Sequence, residues 1–310
     1  MKKVWIRLVA IVFFFLTLSV VPALAYDQPS VNLGFTSFVD GAPPSGPGFY
    51  FQEYLQYYTA NRLEDAPAPV SNPKLDAWIS LNQLVYQSDQ ELFWGGKWGM
   101  NLMLPIVNFD TRISPLTDNG GGFGDLLIGP FLQWDPIMGK NGPIFMHRIE
   151  LSVILPTGRY SANEALNPGA NFFSFNPYWA GTLFITPKLT VSTRLHYLWN
   201  AKNTDPYDPM GAGIKDTQAG QAVHANFAAS YEVIEKKLRL GINGYALKQI
   251  SSSEVDGQDV SGKEQVFAIG PGALFSFSKD THLFFNAYFE TGAQYRPEGE
   301  RITLRLVHHF

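Results

Sequence analysis

The chain has 310 residues, a formal net charge of −4, no cysteine, 15% aromatic residues and only 16% charged ones. The lack of cysteine excludes a disulfide framework, thiol chemistry and a thiolate metal site. The acidic balance argues against nucleic acid as a partner, and it grows if the basic N-terminus with Lys2, Lys3 and Arg7 is cleaved off.

That N-terminus continues with an apolar run from Leu8 to Val21 and then Ala23-Leu24-Ala25. Its three parts define a secretory signal peptide over residues 1–25, with the mature chain starting at Tyr26. The run is shorter than the ~20 residues a spanning helix requires. Residues 26–48, with Pro29, Pro43, Pro44 and Pro47 among several glycines, form an irregular N-terminal segment, since neither helix nor strand tolerates that spacing. Two placements are open to it: trailing in the periplasm, or tucked into the lumen of a barrel formed by the rest of the chain, with Phe35 and Phe38 as apolar anchors.

From residue 49 the chain divides into strand-length pieces, predicted at about 49–63, 74–88, 96–108, 123–135, 143–157, 172–186, 188–200, 218–233, 237–250, 264–278, 281–295 and 301–310. Tight turns at 187–188, 234–236 and 279–280 and a longer one at 135–142 alternate with long polar or Gly-rich loops at 64–73, 110–122, 158–171, 201–217 and 251–263. Only the connection at 296–300 is predicted to be short on that second side. Alternation of short and long connections, with an even strand number, is the pattern of an all-β transmembrane antiparallel β-barrel of the outer-membrane type, here with about 12 strands over residues 49–310.

Side-chain parity points the same way. Over 188–200, Leu189, Val191, Leu195, Tyr197 and Trp199 share one face, and Thr190, Ser192, Arg194, His196 and Asn200 the other. Over 281–295, Leu283, Phe285, Ala287, Phe289 and Tyr295 oppose His282, Asn286, Tyr288, Glu290 and Gln294; over 218–233, Val223, Phe227, Tyr231 and Val233 oppose His224, Asn226, Ser230 and Glu232. Outward aromatics gather at strand ends: Trp98, Trp134, Tyr231, Phe277 and Phe310 at the periplasmic interface, Phe173, Trp199 and Tyr295 at the outer one. Gln52, Glu53 and Gln56 blur both parities of the first strand. The last ten residues place Ile302, Leu304, Leu306 and Phe310 on one face and Arg301, Thr303, Arg305 and His309 on the other. This ending resembles the C-terminal assembly signal of bacterial outer-membrane barrels, with His308 as a departure. The expected partners are therefore outer-membrane lipid and lipopolysaccharide, and the barrel assembly machinery through Phe310.

Several short stretches stand in a fixed order: Gly122-Phe123-Gly124-Asp125 leading to Gly129-Pro130, Leu155-Pro156-Thr157-Gly158-Arg159-Tyr160, and Asn167-Pro168-Gly169-Ala170-Asn171 with Pro177 beyond them. With Pro47-Gly48 and Gly270-Pro271 they make the chain, over roughly residues 34–310, resemble the outer-membrane channel family linked by name to the meta-cleavage pathway of phenol degradation. The resemblance implies a twelve-stranded channel that passes fairly bulky, often hydrophobic or aromatic small molecules by passive diffusion.

Parity assigns Asp125, Phe131, Arg148, Glu150, Tyr178, Arg194, His196, His224, Asn226, Asn286, Tyr288, Glu290 and Arg305 to the lumen as pore-lining residues. The structural alternative is that Arg148, Arg194 and Arg305 pair with Glu150 and Glu290 to stabilise the wall. His196 and His224 fall at similar heights on neighbouring strands, but a metal would need a third ligand and no acid is nearby, so no metal and no cofactor is expected. Pro105, Pro130, Pro156, Pro177 and Pro271 interrupt predicted strands, and Pro130, Pro156, Pro177 and Pro271 are wall-kink candidates: they mark either local bulges or a lateral exit into the bilayer. An outer-membrane phospholipase would need a Ser–His pair on the lipid side, whereas Ser192 and His196 share the inward face. A barrel without an open pore, structural or adhesive, is the remaining alternative to a small-molecule channel.

Overall fold

A computed structural model describes residues 28–41, 43, 45–65, 73–111, 118, 120–208 and 211–310. The leader at 1–25, Tyr26, and parts of the loops expected at 64–73 and 110–122 lie outside the described residues.

Twelve wall strands succeed one another, each antiparallel to the next: β1 (Gly48–Glu64), β2 (Leu75–Phe93), β3 (Gly96–Thr111), β4 (Gly121–Phe123 and Leu126–Gln133), β5 (Gly142–Glu150 and Val153–Leu155), β6 (Ser174–Phe175 and Tyr178–Phe184), β7 (Leu189–Asn200), β8 (Ala222–Ile234), β9 (Leu238–Gln249), β10 (Gln265–Ser276), β11 (Thr281–Gln294) and β12 (Arg296–His309). β12 returns to β1, from Tyr50↔His309 to Glu64↔Arg296, so the sheet closes into a barrel. Closure matters because an open edge in hydrocarbon would leave a row of peptide groups without partners, at several kcal/mol each.

Outward side chains are apolar along most of the wall and inward ones are mixed. β7 shows it cleanly: Val191, Leu195, Tyr197 and Trp199 are exposed, while Thr190, Ser192, Arg194, His196 and Asn200 are buried. Aromatics cluster toward the wall's ends, as in the stack of Trp134 on His147 (4.5 Å between ring centroids) at the periplasmic end and the Phe173–Trp199 contact (6.5 Å) at the outer end. β1 resolves its mixed parity by pointing Tyr50, Tyr54, Gln56 and Tyr58 inward and Phe49, Leu55 and Glu53 outward.

Two elements differ from the sequence reading. β2 runs on to Phe93, forming with β3 a hairpin that turns at Trp94-Gly95. β12 starts at Arg296, not near 301, and Tyr295 alone, at φ 52°, joins it to β11. Two charges of 296–300 are buried and paired, Arg296 with Glu264 at 3.4 Å and Glu298 with Arg62 at 2.6 Å, while Glu300 is exposed. Tyr295 consequently leaves the outer girdle and packs at the lumen mouth against Gly262.

At the outer end, Thr217–Gln218, Ser253–Val255 and Gln258–Val260 form a small three-stranded sheet from two long loops. The loop between β5 and β6 instead folds inward. Gly124, Gly158 and Gly169 meet there backbone to backbone: a Cβ on Gly158 would stand 2.7 Å from the Gly124 carbonyl carbon, and one on Gly169 2.9 Å from Gly158. Asp125 locks the crossing by accepting from the N–H groups of Gly158 (2.9 Å) and Ala170 (2.7 Å). The short glycine motifs of the sequence are therefore three segments of one backbone crossing.

Candidate functional site

Residues 28–41, 43 and 45–47 run down the inside of the barrel and meet the wall from the outer loops to the periplasmic turn. Gln28 donates to the Gly220 carbonyl at 2.7 Å near the outer loops. Lower down, Asn226 grips the backbone twice, accepting from Gly34 N–H and donating to the Asn32 carbonyl, both at 2.9 Å. Asp40 takes both arms of Arg194, at 2.7 and 2.8 Å. Gly41 donates to Thr182 at 2.8 Å and accepts from Gln133 at 3.0 Å. Ser45 reaches the Lys279 carbonyl at the periplasmic turn, 2.6 Å away. Gly34 is required at its place: its φ is +80° and a Cβ would stand 2.7 Å from the Tyr288 ring.

The segment does not fill the lumen. A cavity of about 620 Å³ remains between it and the wall, bounded near the periplasmic end by Pro43, Ser276 and His282 and near the outer end by Asp65, Tyr207 and Pro297. The inward loop contributes Tyr160, Leu166, Pro168 and Phe172 to its lining.

Two polar networks hold the wall around this space. The first crosses five strands: Tyr54 donates to Gln83 (2.8 Å), Gln83 to Asn101 (2.8 Å), and Asn101, Tyr178 (2.6 Å) and Ser152 (2.6 Å) all donate to Glu150. Gly129 and Glu150 are neighbours so close that no Cβ fits at 129. The second centres on Glu290, which accepts from Tyr58 (2.9 Å), Tyr245 (2.7 Å) and Gly299 N–H (2.8 Å), with Arg301 at 3.5 Å. Four inward arginines lie over aromatic faces: Arg148 on Phe131 (4.1 Å), Arg194 on Tyr178 (4.1 Å), Arg301 on Tyr58 (4.2 Å) and Arg305 on Phe284 (3.6 Å). Such stacking fixes a guanidinium's plane while leaving its edge free to bond.

All thirteen residues assigned to the lumen by parity are buried on the inner side. Asp125, Arg148, Tyr178, Arg194, His196 and Arg305 border the cavity; Phe131, Glu150, His224, Asn226, Asn286, Tyr288 and Glu290 are packed behind other lumen groups or the N-terminal segment. The pairing expected between the arginines and the two glutamates takes another form, because the segment and β12 supply closer partners. Arg194 joins Asp40, Arg301 joins Glu290, Arg148 donates to neutral Gln133 at 3.0 Å, and Arg305 stacks. His196 and His224 stack at 4.1 Å and share the Asn176 amide oxygen, at 3.2 and 3.1 Å. Ser192 bonds Thr182 at 3.0 Å and not His196.

Missing from the sequence reading were the partners Asp40, Gln83, Asn101, Gln56, Tyr245 and Arg301, and an apolar inner wall made by Ile79, Leu81, Val85, Met103, Val107 and Leu127. Asn101 had a signal, a lone amide between Met100 and Leu102; Asp40, in irregular chain, had none. At the prolines, bonds continue across the wall. Leu151 N–H donates to Pro130 at 2.9 Å, Asn176 N–H to Ser152 at 2.8 Å, Tyr197 N–H to Pro177 at 3.1 Å and Gly124 N–H to Pro105 at 2.8 Å. Asn243 reaches the Gly270 carbonyl beside Pro271 at 2.9 Å. The bonds a lateral opening would break at Pro130 and Pro177 are thus present, while Pro156 lies past the end of β5 in the inward loop.

A closed antiparallel wall, apolar outside and mixed within, belted by aromatics and threaded by the segment that begins at Gln28, defines a β-barrel of the bacterial outer membrane. Residues 60–306 match the family described as "Putative MetA-pathway of phenol degradation", and the chain belongs to it. Among solved structures, the COG4313 outer membrane channel from Pseudomonas putida F1 superposes with a TM-score of 0.74 at 18% identity, covering 91% of this chain and 100% of that one. The β domain of the Bordetella autotransporter BrkA gives a TM-score of 0.47 at 12% identity, covering 86% and 100%; the NanC porin gives 0.42 and 10%, covering 84% and 98%. No curated protein matches the sequence.

Proposed function

We propose that the protein is an outer-membrane channel for passive diffusion of small hydrophobic or aromatic molecules into the periplasm. The observation that carries this reading is a single cavity reaching both ends of the barrel, with an apolar wall on one side. A solute with an apolar body can lie along Ile79, Leu81 and Val107, while its polar group faces Arg148 and Arg305 across the same cavity. The pore-lining role falls to Asp125, Arg148, Tyr178, Arg194, His196 and Arg305, with the buried remainder of the parity set stiffening the wall. A family resemblance to channels supports the same reading.

Uptake into proteoliposomes of a panel of sugars, amino acids and monoaromatic acids tests it. The aromatic acids enter fastest; equal exclusion of every solute overturns the proposal and leaves a structural or adhesive barrel. Phe310, exposed at the end of β12, is the handle for the barrel assembly machinery, and lipopolysaccharide faces the outer girdle. Removing Phe310 should lower the amount of heat-modifiable barrel recovered from outer membranes, and unchanged assembly would contradict that role.

A further inference from the structure

One patch of the outer wall is not explained by contact with acyl chains. Glu53 on β1 and Ser80 and Asn82 on β2 point outward. Ser80 donates to Glu53 Oε1 at 2.7 Å, and Asn82 Nδ2 donates to Ser80 Oγ at 3.2 Å. Glu53 sits opposite Asn82 in one ladder and Leu306 in the other. Exposed Leu55, Leu84, Leu304 and Leu306 surround the group.

Its height in the bilayer is set by two outward aromatic pairs, Phe49–Tyr86 (4.7 Å between centroids) toward the periplasm and Tyr57–Trp78 (4.6 Å) toward the outside. Glu53 stands midway between Phe49 and Tyr57, and Asn82 midway between Trp78 and Tyr86. The cluster is therefore at mid-membrane, where a carboxyl or amide has no water to bond and acyl chains offer nothing in return. Thr193, outward on β7, turns its hydroxyl to the Asn226 carbonyl at 3.2 Å. Glu53 Oε2 and the side-chain carbonyl of Asn82 have no such internal partner among the described residues.

We propose that this face of β1 and β2 is the interface of a two-fold dimer, its occupant a second copy of the chain. Both copies enter the membrane with the same polarity, so the symmetry axis lies along the membrane normal and only groups at equal height can meet. Glu53 and Asn82 are paired across the ladder, with Ser80 at the next outward position of β2, and together they carry donors and acceptors. A two-fold rotation then sets the Asn82 amide of each copy against the Glu53 carboxyl of the other, and the four leucines pack around that contact. The patch does not serve as a side door to the lumen, because β1 and β2 pair without interruption from Gly48↔Gln87 to Ala60↔Leu75.

The natural absence of cysteine makes the test direct. Leu84→Cys in the full-length protein, oxidised in native outer membranes, should give a disulfide-linked species of twice the monomer mass. Val191→Cys, on the exposed face of β7, should not. Adding Glu53→Gln and Asn82→Leu to Leu84→Cys should cut the linked fraction by about tenfold, the effect of losing a hydrogen-bonded contact in lipid, while heat-modifiable migration shows that the barrel still folds. Equal linking at both cysteines, linking only to proteins of other mass, no linking at Leu84→Cys, or a linked fraction indifferent to the double change would each overturn the proposal. Conductance is read separately on the same variants, so the interface and the channel stand or fall independently.

Discussion

Along β2 and β3 most of the inward side chains are apolar, Ala77, Ile79, Leu81, Val85, Met103 and Val107, which meet the cavity, with Gln83 and Asn101 as polar exceptions that reach Glu150. Along β6, β7 and β8 they are Tyr178, Thr182, Arg194, His196, His224 and Asn226, and several of them meet residues 28–41. Both sides obey the same two-residue period and the same closed ladder. What separates them is the occupant each side is made for. The polar side has a permanent guest, held by groups whose hydrogen bonds would otherwise go unmade inside the barrel. The apolar side meets only apolar groups, Phe38 in the cluster of Val85 and Leu166 against that of Ala77, and apolar side chains can line a void or an apolar solute without leaving a polar atom unsatisfied. The lumen is thus divided between the N-terminal segment and an amphipathic cavity.

Removing the guest should abolish the contrast, and it is the largest effect expected. A mature chain that begins at Gly48 should show a severalfold rise in single-channel conductance, with folding checked by heat-modifiable migration. An unchanged conductance would mean that residues 28–47 do not limit the path. Asp40→Ala probes the same boundary more locally. It strands the Arg194 guanidinium, and breaking a buried pair of this kind costs about 3–5 kcal/mol. The segment should then become protease-sensitive at 28–47 and the conductance should fluctuate, whereas Asp40→Glu should preserve the quiet state.

On the apolar side, Leu81→Asn places an amide where a solute's apolar body would lie. Uptake of monoaromatics should drop severalfold with little change in ion conductance; an equal loss of both would indicate a collapsed wall. The smallest effect lies outside the membrane. Asp208 is held below its ordinary value of 3.8 chiefly by the N–H of Ala212, and Asp256 chiefly by that of Lys215. Because both are depressed in the folded state, the loop order they support is present above 3.8 and lost as pH falls through their lowered values. Hydrogen exchange in 201–221 should rise only in that acidic window; a rise near neutrality would contradict this origin.

Much of the wall is legible in the sequence. Strand number, connection lengths and the outward faces of β7, β8, β11 and β12 come from alternation, because lipid imposes one rule on every second residue. The lumen is less legible. Its parity set landed on the inner side, yet which members face the void depends on a segment whose prolines and glycines carry no period, so Asp40 could not be assigned to Arg194. The apolar inner wall was hidden for another reason: β2 and β3 carry apolar residues on both faces and polar ones on both, Gln83 and Asn101 inward and Ser80 and Asn82 outward, so parity does not single out the inner face there. Arg296 and Glu298 looked like loop residues because buried ion pairs and solvated charges use the same letters.

A channel requires the space beside the N-terminal segment to be a continuous path. Single-channel recording of the purified full-length protein in a planar bilayer tests it most directly. The path predicts discrete, voltage-stable conductance steps that diminish when a monoaromatic acid is added. A silent bilayer, with the barrel verified as folded and inserted, would contradict it.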